Sequence, residues 1–234
     1  MPNMNHPIVY APERRIRGDI KVLSYDSVDL FASDQYSLRR RGWLTDAVVT
    51  FAAQFLRDEL ISDDKRNMVE VLAAAVTECI KFINPMEQAV QDIGLSSKRY
   101  NFFLVNDNMN PSMIGGGTHW SLLVYDPRRR GFVFLDSRPS VVDSTLQLLA
   151  DNIAAAMGLE HLPIEMPPCP KMDINGDCGV YLIEFIKGIF KQLNEENFEN
   201  PYIFEQLSQD DINRSRKYWF CKIAELGSKV SEIN

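Results

Sequence analysis

Two short segments around a single turn limit the architecture more than any other part of this chain. Trp120-Ser-Leu-Leu-Val-Tyr125 and Gly131-Phe-Val-Phe-Leu135 are aromatic and β-branched, and Asp126-Pro-Arg-Arg-Arg-Gly131 joins them with proline and glycine at the punctuating positions. That is the pattern of an antiparallel hairpin. Residues facing each other across it sum to about 257, so His119, directly ahead of the first strand, comes level with Asp136 to Arg138 at the end of the second. A further strand is expected at Tyr100-Asn-Phe-Phe-Leu-Val105, bounded like the others by turn residues.

Helical periodicity surrounds these strands. Leu44, Ala47, Val48, Phe51, Ala52, Phe55 and Leu56 recur at the spacing of one buried helix face, with Thr45 or Asp46 as its cap. A second helix is expected from Val69 to Phe82, stopping before Asn84 and Pro85. Ser144 to Met157 reads as a helix that Gly158 stops, and Pro163 to Pro170 as extended chain. Gly179 to Phe190 is apolar on most faces and reads as a buried helix, and a last helix is expected from Asp211 to Leu226. Residues 1–20 carry Pro2, Pro7, Pro12 and charge without apolar periodicity, the pattern of a flexible arm. The order of helices, then strands with an inserted helix, then helices, predicts one α+β domain over residues 21–230, with a central mixed sheet flanked by helices.

Composition removes several function classes. With 234 residues, 45% of them hydrophobic, the chain can bury a sizeable core without a disulfide or metal staple. Cys79, Cys169, Cys178 and Cys221 form no CxxC pair and are joined by only three histidines, so no metal site, cofactor or disulfide framework is expected, and a reducing compartment fits. No apolar run reaches a membrane span, and Arg14, Arg15 and Arg17 are not followed by the apolar core of a leader, so neither export nor membrane attachment is expected. A net charge of −7 disfavours nucleic acid and anionic lipid as partners and favours a protein or small molecule.

The chemistry concentrates at three residues. The glycine run Gly115-Gly-Gly-Thr-His119 delivers a histidine to the start of a strand, and Asp136 follows Phe134-Leu135 at the end of its neighbour, placed to orient the ring. Cys178, in Asn175-Gly-Asp-Cys-Gly-Val-Tyr181, stands where a loop enters the buried helix, and Asp177 is a candidate cap for that helix. A helix N-terminus and a nearby imidazolium both favour a thiolate nucleophile. Each residue type has a commoner structural use, as a packed thiol, a satisfied histidine or a turn aspartate. The order His, Asp, Cys, with glycines beside both reactive groups, is what gives the set weight.

Gly116-Gly-Thr-His-Trp-Ser-Leu-Leu-Val-Tyr125, Phe134-Leu-Asp-Ser137 and Asp177-Cys-Gly-Val-Tyr181 resemble the motifs of the Ulp-type, or sentrin-specific, cysteine proteases, and most of all their small deneddylase branch. Val105-Asn-Asp-Asn108, Gly42-Trp-Leu-Thr-Asp46 and Arg216-Lys-Tyr-Trp219 extend the likeness over about Leu23 to Leu226. The resemblance implies a papain-like domain in which His119 is the base, Asp136 orients it and Cys178 attacks the carbonyl after a Gly-Gly terminus. Trp43 and Trp120 would roof a slot too narrow for any residue with a Cβ, and Asp46, Asn106 and Asn108 would meet the modifier's tail. It further implies a monomer in cytoplasm or nucleus that acts on the neddylation modifier and its conjugates, such as cullins. Ubiquitin and SUMO are the competing substrates.

One position departs from the family pattern. A glutamine usually stands six residues before the nucleophile as an oxyanion donor, and Met172 occupies that place, with Asn175 as the candidate substitute. Losing one such donor typically costs roughly a hundred- to a thousandfold in turnover. The alternatives to a protease are a modifier-binding module of weak activity, supported by Met172, and an acyltransferase on the same triad.

Overall fold

The computed structural model describes residues 18–39, 42–84, 87–110, 116–195 and 198–231. In chain order these form the hairpin β1 (Lys21–Tyr25) and β2 (Val28–Phe31), then α1 (Ala32–Ser37) and α2 (Asp46–Leu60). β3 (Val69–Leu72), α3 (Ala74–Phe82) and the single turn α4 (Gln88–Gln91) follow. β4 (Tyr100–Asn106), β5 (Trp120–Asp126) and β6 (Gly131–Leu135) lead to α5 (Ser144–Ala156) and β7 (Ile164–Glu165), and α6 (Cys178–Asn194) and α7 (Gln209–Ser231) complete the described chain. Residues 1–17 of the expected arm, Pro85 and Gly115 lie outside the described residues. The end of that arm is stitched to the domain: Ser33 N–H donates to the Asp19 carboxylate at 3.2 Å and Ala32 N–H to the Ile20 carbonyl at 2.8 Å.

A five-stranded mixed sheet in the order β3-β4-β5-β6-β7 forms the centre, antiparallel at β4-β5 and β5-β6 and parallel at β3-β4 and β6-β7. The hairpin register pairs Leu122 with Leu135 and Asp126 with Gly131, as its turn predicts. Strand alternation then sorts side chains onto two faces. Phe102, Leu104, Leu122, Val124, Val133 and Leu135 enter a core shared with α2, α6 and α7, while Phe103, Leu123, Tyr125, Phe132 and Phe134 enter a second core shared with α5. With both faces covered, every residue of β5 and β6 is buried. That explains why the strands read as continuous apolar runs.

One expectation about the elements needs correction. Val69 to Phe82 is not one helix: Val69–Leu72 is an edge strand parallel to β4, and the helix begins only at Ala74, after an extended Ala73. The β-branched Val69 and Val71 face the core beside a half-exposed Glu70, a period-two signal too short to override the apolar run that follows it. The β1-β2 hairpin and α1 were not expected at all.

α6 is buried around most of its circumference, from Val180 through Leu193, as its composition predicts. It runs through the main core with Cys178 at its head. Gly179 lets α2 approach it: a Cβ there would lie 2.9 Å from the Leu44 side chain, closer than real contacts allow. The start of α2, capped by Thr45 through the Val48 N–H at 3.4 Å, is thereby held against the start of α6.

Candidate active site

The hairpin register carries His119 and Asp136 to the same end of the sheet. His119 Nε2 meets Asp136 Oδ1 at 2.5 Å, with the two residues only 3% and 5% exposed. The Arg138 N–H donates to the same oxygen at 2.8 Å and fixes the carboxylate's orientation. Burial pushes the imidazole pKa down, but the Asp136 hydrogen bond and then the Cys178 thiol outweigh it, and the ring is raised above its ordinary value. Asp136 is the mirror case: burial pushes it up, and the bond to His119 and its charge hold the carboxyl below the ordinary range.

Cys178 completes the set from the head of α6. It is the first residue of α6 and nearly inaccessible. Nε2 of His119 is committed to Asp136. Nδ1 is buried with no hydrogen-bond partner among the described residues, which makes it the ring atom open to a proton, and the Cys178 thiol acts on the same imidazole. The three residues that sequence reasoning singled out are thus brought together, with the α6 dipole directed at the sulfur.

Beside them lies an open cleft lined by Trp43, Leu44, Asp46, Asn106 and the Gly116 to Trp120 segment. The Trp120 indole N–H donates to the Leu44 carbonyl at 2.8 Å, tying one wall to the other, whereas the buried Trp43 indole nitrogen has no partner among the described residues. Burial pushes the Asp46 carboxyl above its ordinary value, and the Asp34 charge adds to that. Gly117 sits at φ +86°, where a Cβ would fall 1.9 Å from Asn106 Oδ1, so the loop into His119 closes on Asn106 only with glycine there. Asn106 therefore lines the cleft. Asn108 does not: its side chain turns onto Asn110, accepting from the N–H at 3.0 Å and donating to the carbonyl at 3.2 Å.

Residues 42–230 match the model of the Ulp1 protease family, C-terminal catalytic domain. This chain belongs to the Ulp1 protease family. It is 30% identical over 216 residues to sentrin-specific protease 8 of Mus musculus, covering 90% of this chain and 96% of that one. Against NEDD8-specific protease 1 of Arabidopsis thaliana it is 27% identical over 183 residues, 78% and 80% of the two chains. The solved C-terminal Ulp1 protease domain in complex with Smt3, the yeast ortholog of SUMO, superposes with a TM-score of 0.66 at 15% identity over 89% of this chain and 88% of that one. The Ulp1-type fold is therefore the fold of this chain, and the family is one of cysteine-type peptidases.

Within this Ulp1-family site, the segment before Cys178 is docked on the Asp136 end of the sheet. Met172 N–H donates to the Ser137 carbonyl at 2.8 Å, Lys171 Nζ to the Asp136 carbonyl at 2.7 Å, and the Tyr181 hydroxyl to the Lys171 carbonyl at 3.2 Å. The Met172 side chain packs on the main core and carries no donor, and Asn175 is exposed. Asp177 stands at the N-cap of α6, but the expectation that its side chain caps the helix is wrong. Its carboxylate is taken by Arg216 Nε at 2.9 Å and Nη2 at 2.7 Å instead.

Two residues escaped the sequence reading. Asp107 accepts from the Thr118 N–H at 2.5 Å, the Thr118 hydroxyl at 2.9 Å and the His119 N–H at 2.9 Å, so one carboxylate holds the turn that delivers the histidine. It lies between Asn106 and Asn108, both singled out, but nothing local in Asn-Asp-Asn distinguishes the member that reaches eleven residues ahead. Arg216 is the other, within the quoted Arg-Lys-Tyr-Trp run.

Proposed function

We propose that this chain is a thiol isopeptidase and precursor-processing protease that cleaves after the C-terminal Gly-Gly of a ubiquitin-like modifier, with NEDD8 as the preferred one. The observation that carries this reading is the imidazole between Asp136 and Cys178 at the edge of a cleft walled by Trp43 and Trp120. In the proposed reaction His119 Nδ1 takes the thiol proton, the Cys178 sulfur attacks the glycine carbonyl carbon, and the C–N bond breaks as the imidazolium returns its proton to the leaving amine. Water, deprotonated by the same ring, then hydrolyses the thioester. Asp136 acts by orienting the ring and stabilising its charged form, which its own depressed carboxyl range favours.

The Cys178 N–H at the head of α6 is the natural oxyanion donor. Asn175 and the Met172 position are the candidates for the second. Trp43 and Trp120 restrict the tail to residues without a Cβ, and the desolvated Asp46 carboxylate and Asn106 face its approach. The relatives named for sentrin and NEDD8 support the choice of modifier, and cullin conjugates are the targets that choice brings with it. All four free cysteines are compatible with cytoplasm or nucleus, and among the described residues no helix is long and apolar enough to cross a membrane. One copy suffices, since every group invoked comes from a single chain.

A second reading, modifier binding with weak turnover, is favoured by one observation, the thioether at position 172. Release of a fluorogenic C-terminal amide from NEDD8, ubiquitin and SUMO in parallel separates the two. The parent chain is expected to cleave the NEDD8 amide fastest, and Cys178→Ala to lose turnover while still binding. Hydrolysis retained by Cys178→Ala would overturn the protease assignment, and binding without turnover by the parent chain would establish the second reading.

A further inference from the structure

The carboxylate beside Cys178 is in the wrong place for a thiolate. Asp177 is 1% exposed and precedes the nucleophile directly, where an ionised side chain would oppose a second negative charge and compete for the first amides of α6. It does neither in this fold. Arg216, itself 5% exposed on α7, places Nε and Nη2 on Asp177 Oδ1, and the amide of Gln209 occupies Oδ2 at 3.1 Å. Nη2 of Arg216 also donates to the Gly176 carbonyl at 2.8 Å and Nη1 to the Ser37 carbonyl at 3.4 Å, so the guanidinium grips both the side chain and the backbone of the turn. Among the described residues no acceptor lies on the N–H of Cys178 or Gly179, while those of Val180 and Tyr181 are already spent on the Asp177 carbonyl.

We propose that Arg216 is a positioning residue for the reaction at Cys178: by withdrawing and neutralising the Asp177 carboxylate, it keeps the N-terminus of α6 open for the charge of the thiolate and of the tetrahedral oxyanion. The physical reason is that a helix N-terminus stabilises one anion well, and a built-in carboxylate at the N-cap would be that anion. A guanidinium suits the task because it stays charged and its fork grips the carboxylate and the adjoining carbonyl together. Among the described residues, His119 and Asp136 face this point from the sheet, Arg216 from α7, and Lys171, Asp173 and Tyr181 from the loop and first turn around Cys178, while Asp46 lines the adjoining cleft.

This inference rests on Cys178 being the nucleophile, and the experiment is arranged so that the two can fail separately. In the full chain, Arg216→Gln, Arg216→Lys and the double variant Arg216→Gln/Asp177→Asn are compared for kcat and KM on the NEDD8 C-terminal amide. The rate of Cys178 alkylation by iodoacetamide is followed from pH 5 to 9, with the site verified by mass spectrometry. All readings are taken well below each variant's melting temperature. Arg216→Gln is expected to lower kcat by at least about tenfold with KM within about twofold, and to displace the alkylation profile upward by about one pH unit. In that variant the Asp177 carboxylate is released to the α6 amides. The double variant is expected to return the profile to the parent position, and Arg216→Lys to lie between, since a lysine neutralises without the fork.

An Arg216→Gln chain that melts lower but keeps the parent's pH profile and its kcat per folded molecule would make Arg216 a purely structural residue and overturn the proposal. Retained hydrolysis by Cys178→Ala would instead sink the underlying assignment of the nucleophile, whatever Arg216 does.

Discussion

Two buried carboxylates stand at opposite ends of the same hairpin, and their fates differ. Asp126, 2% exposed, closes the turn end: its Oδ1 accepts the Arg128 N–H at 2.8 Å and the Arg129 N–H at 3.3 Å, and its Oδ2 accepts the Tyr202 hydroxyl at 3.0 Å. Asp136, 5% exposed, closes the other end on His119 and the Arg138 N–H. Residue type, burial and strand position are nearly the same. The partners decide the outcome. Burial, and after it Asp126 itself, drive the Tyr202 phenol far above its ordinary range, so the phenol keeps its proton and the bond serves stability. The partner of Asp136 is an imidazole with a free second nitrogen beside a thiol, which makes the same kind of bond a means of controlling a mobile proton.

The comparison breaks most sharply by substitution at each end. Asp136→Asn should lower kcat on a modifier amide by roughly a thousand- to ten-thousandfold, as when a carboxylate no longer sets a catalytic imidazole's tautomer. The same variant carries a pH signature. The raised imidazole stabilises the fold below its ordinary pKa of 6.5 and stops doing so as pH rises through its raised value, while the depressed Asp136 stabilises above 3.8 and stops as pH falls through its lowered value. The loss of melting temperature in Asp136→Asn is therefore expected to be greatest between about pH 4 and 6.5 and to shrink on either side. A deficit that is flat with pH would contradict the shifted pair.

Asp126→Ala is expected to do the reverse. Stranding the Tyr202 hydroxyl and two backbone amides should cost about 3 kcal/mol, or roughly 2–4 °C of melting temperature per kcal/mol in a chain of this size. Turnover per folded molecule should stay within about twofold of the parent. A large fall in kcat at unchanged stability would mean that the two ends are coupled through the strands.

Smaller effects refine the Asp136 end. Asp107→Ala should lower kcat about tenfold by loosening Thr118 and His119 while leaving Asp136 in place, and Asp107→Asn, which keeps an acceptor, should recover part of the loss. An unchanged rate in Asp107→Ala would mean that β5 alone positions the imidazole. Smallest of all, Met172→Gln is expected to raise kcat by up to about tenfold if a side-chain donor at that position reaches the oxyanion. A lower rate at a lower melting temperature would show that packing on the core is what position 172 supplies.

Short-range order made much of this molecule readable from its residues. The β5-β6 turn, the stripe of α2, the all-round apolarity of α6 and the level placement of His119 and Asp136 each follow from periodicities of two or 3.6 and from turn chemistry, which act within a dozen residues. Those rules determined the α+β class and two members of the site. The third, Cys178, was singled out by its neighbours, but only packing brings it to the imidazole, through the fit of Gly179 against Leu44 and of α6 against the sheet. Parallel pairing of β3 with β4, the reach of Asp107 to Thr118 and the capture of Asp177 by Arg216 were decided by the tertiary structure alone. None of these pairs is related by a shared hairpin turn or a helical period, whether eleven positions apart, as for Asp107 and Thr118, or thirty-nine, as for Asp177 and Arg216. An aspartate at a helix start has a favourable local use as a cap; it gives that up here because a buried guanidinium, delivered by a distant helix, binds it more strongly than the amides at its side.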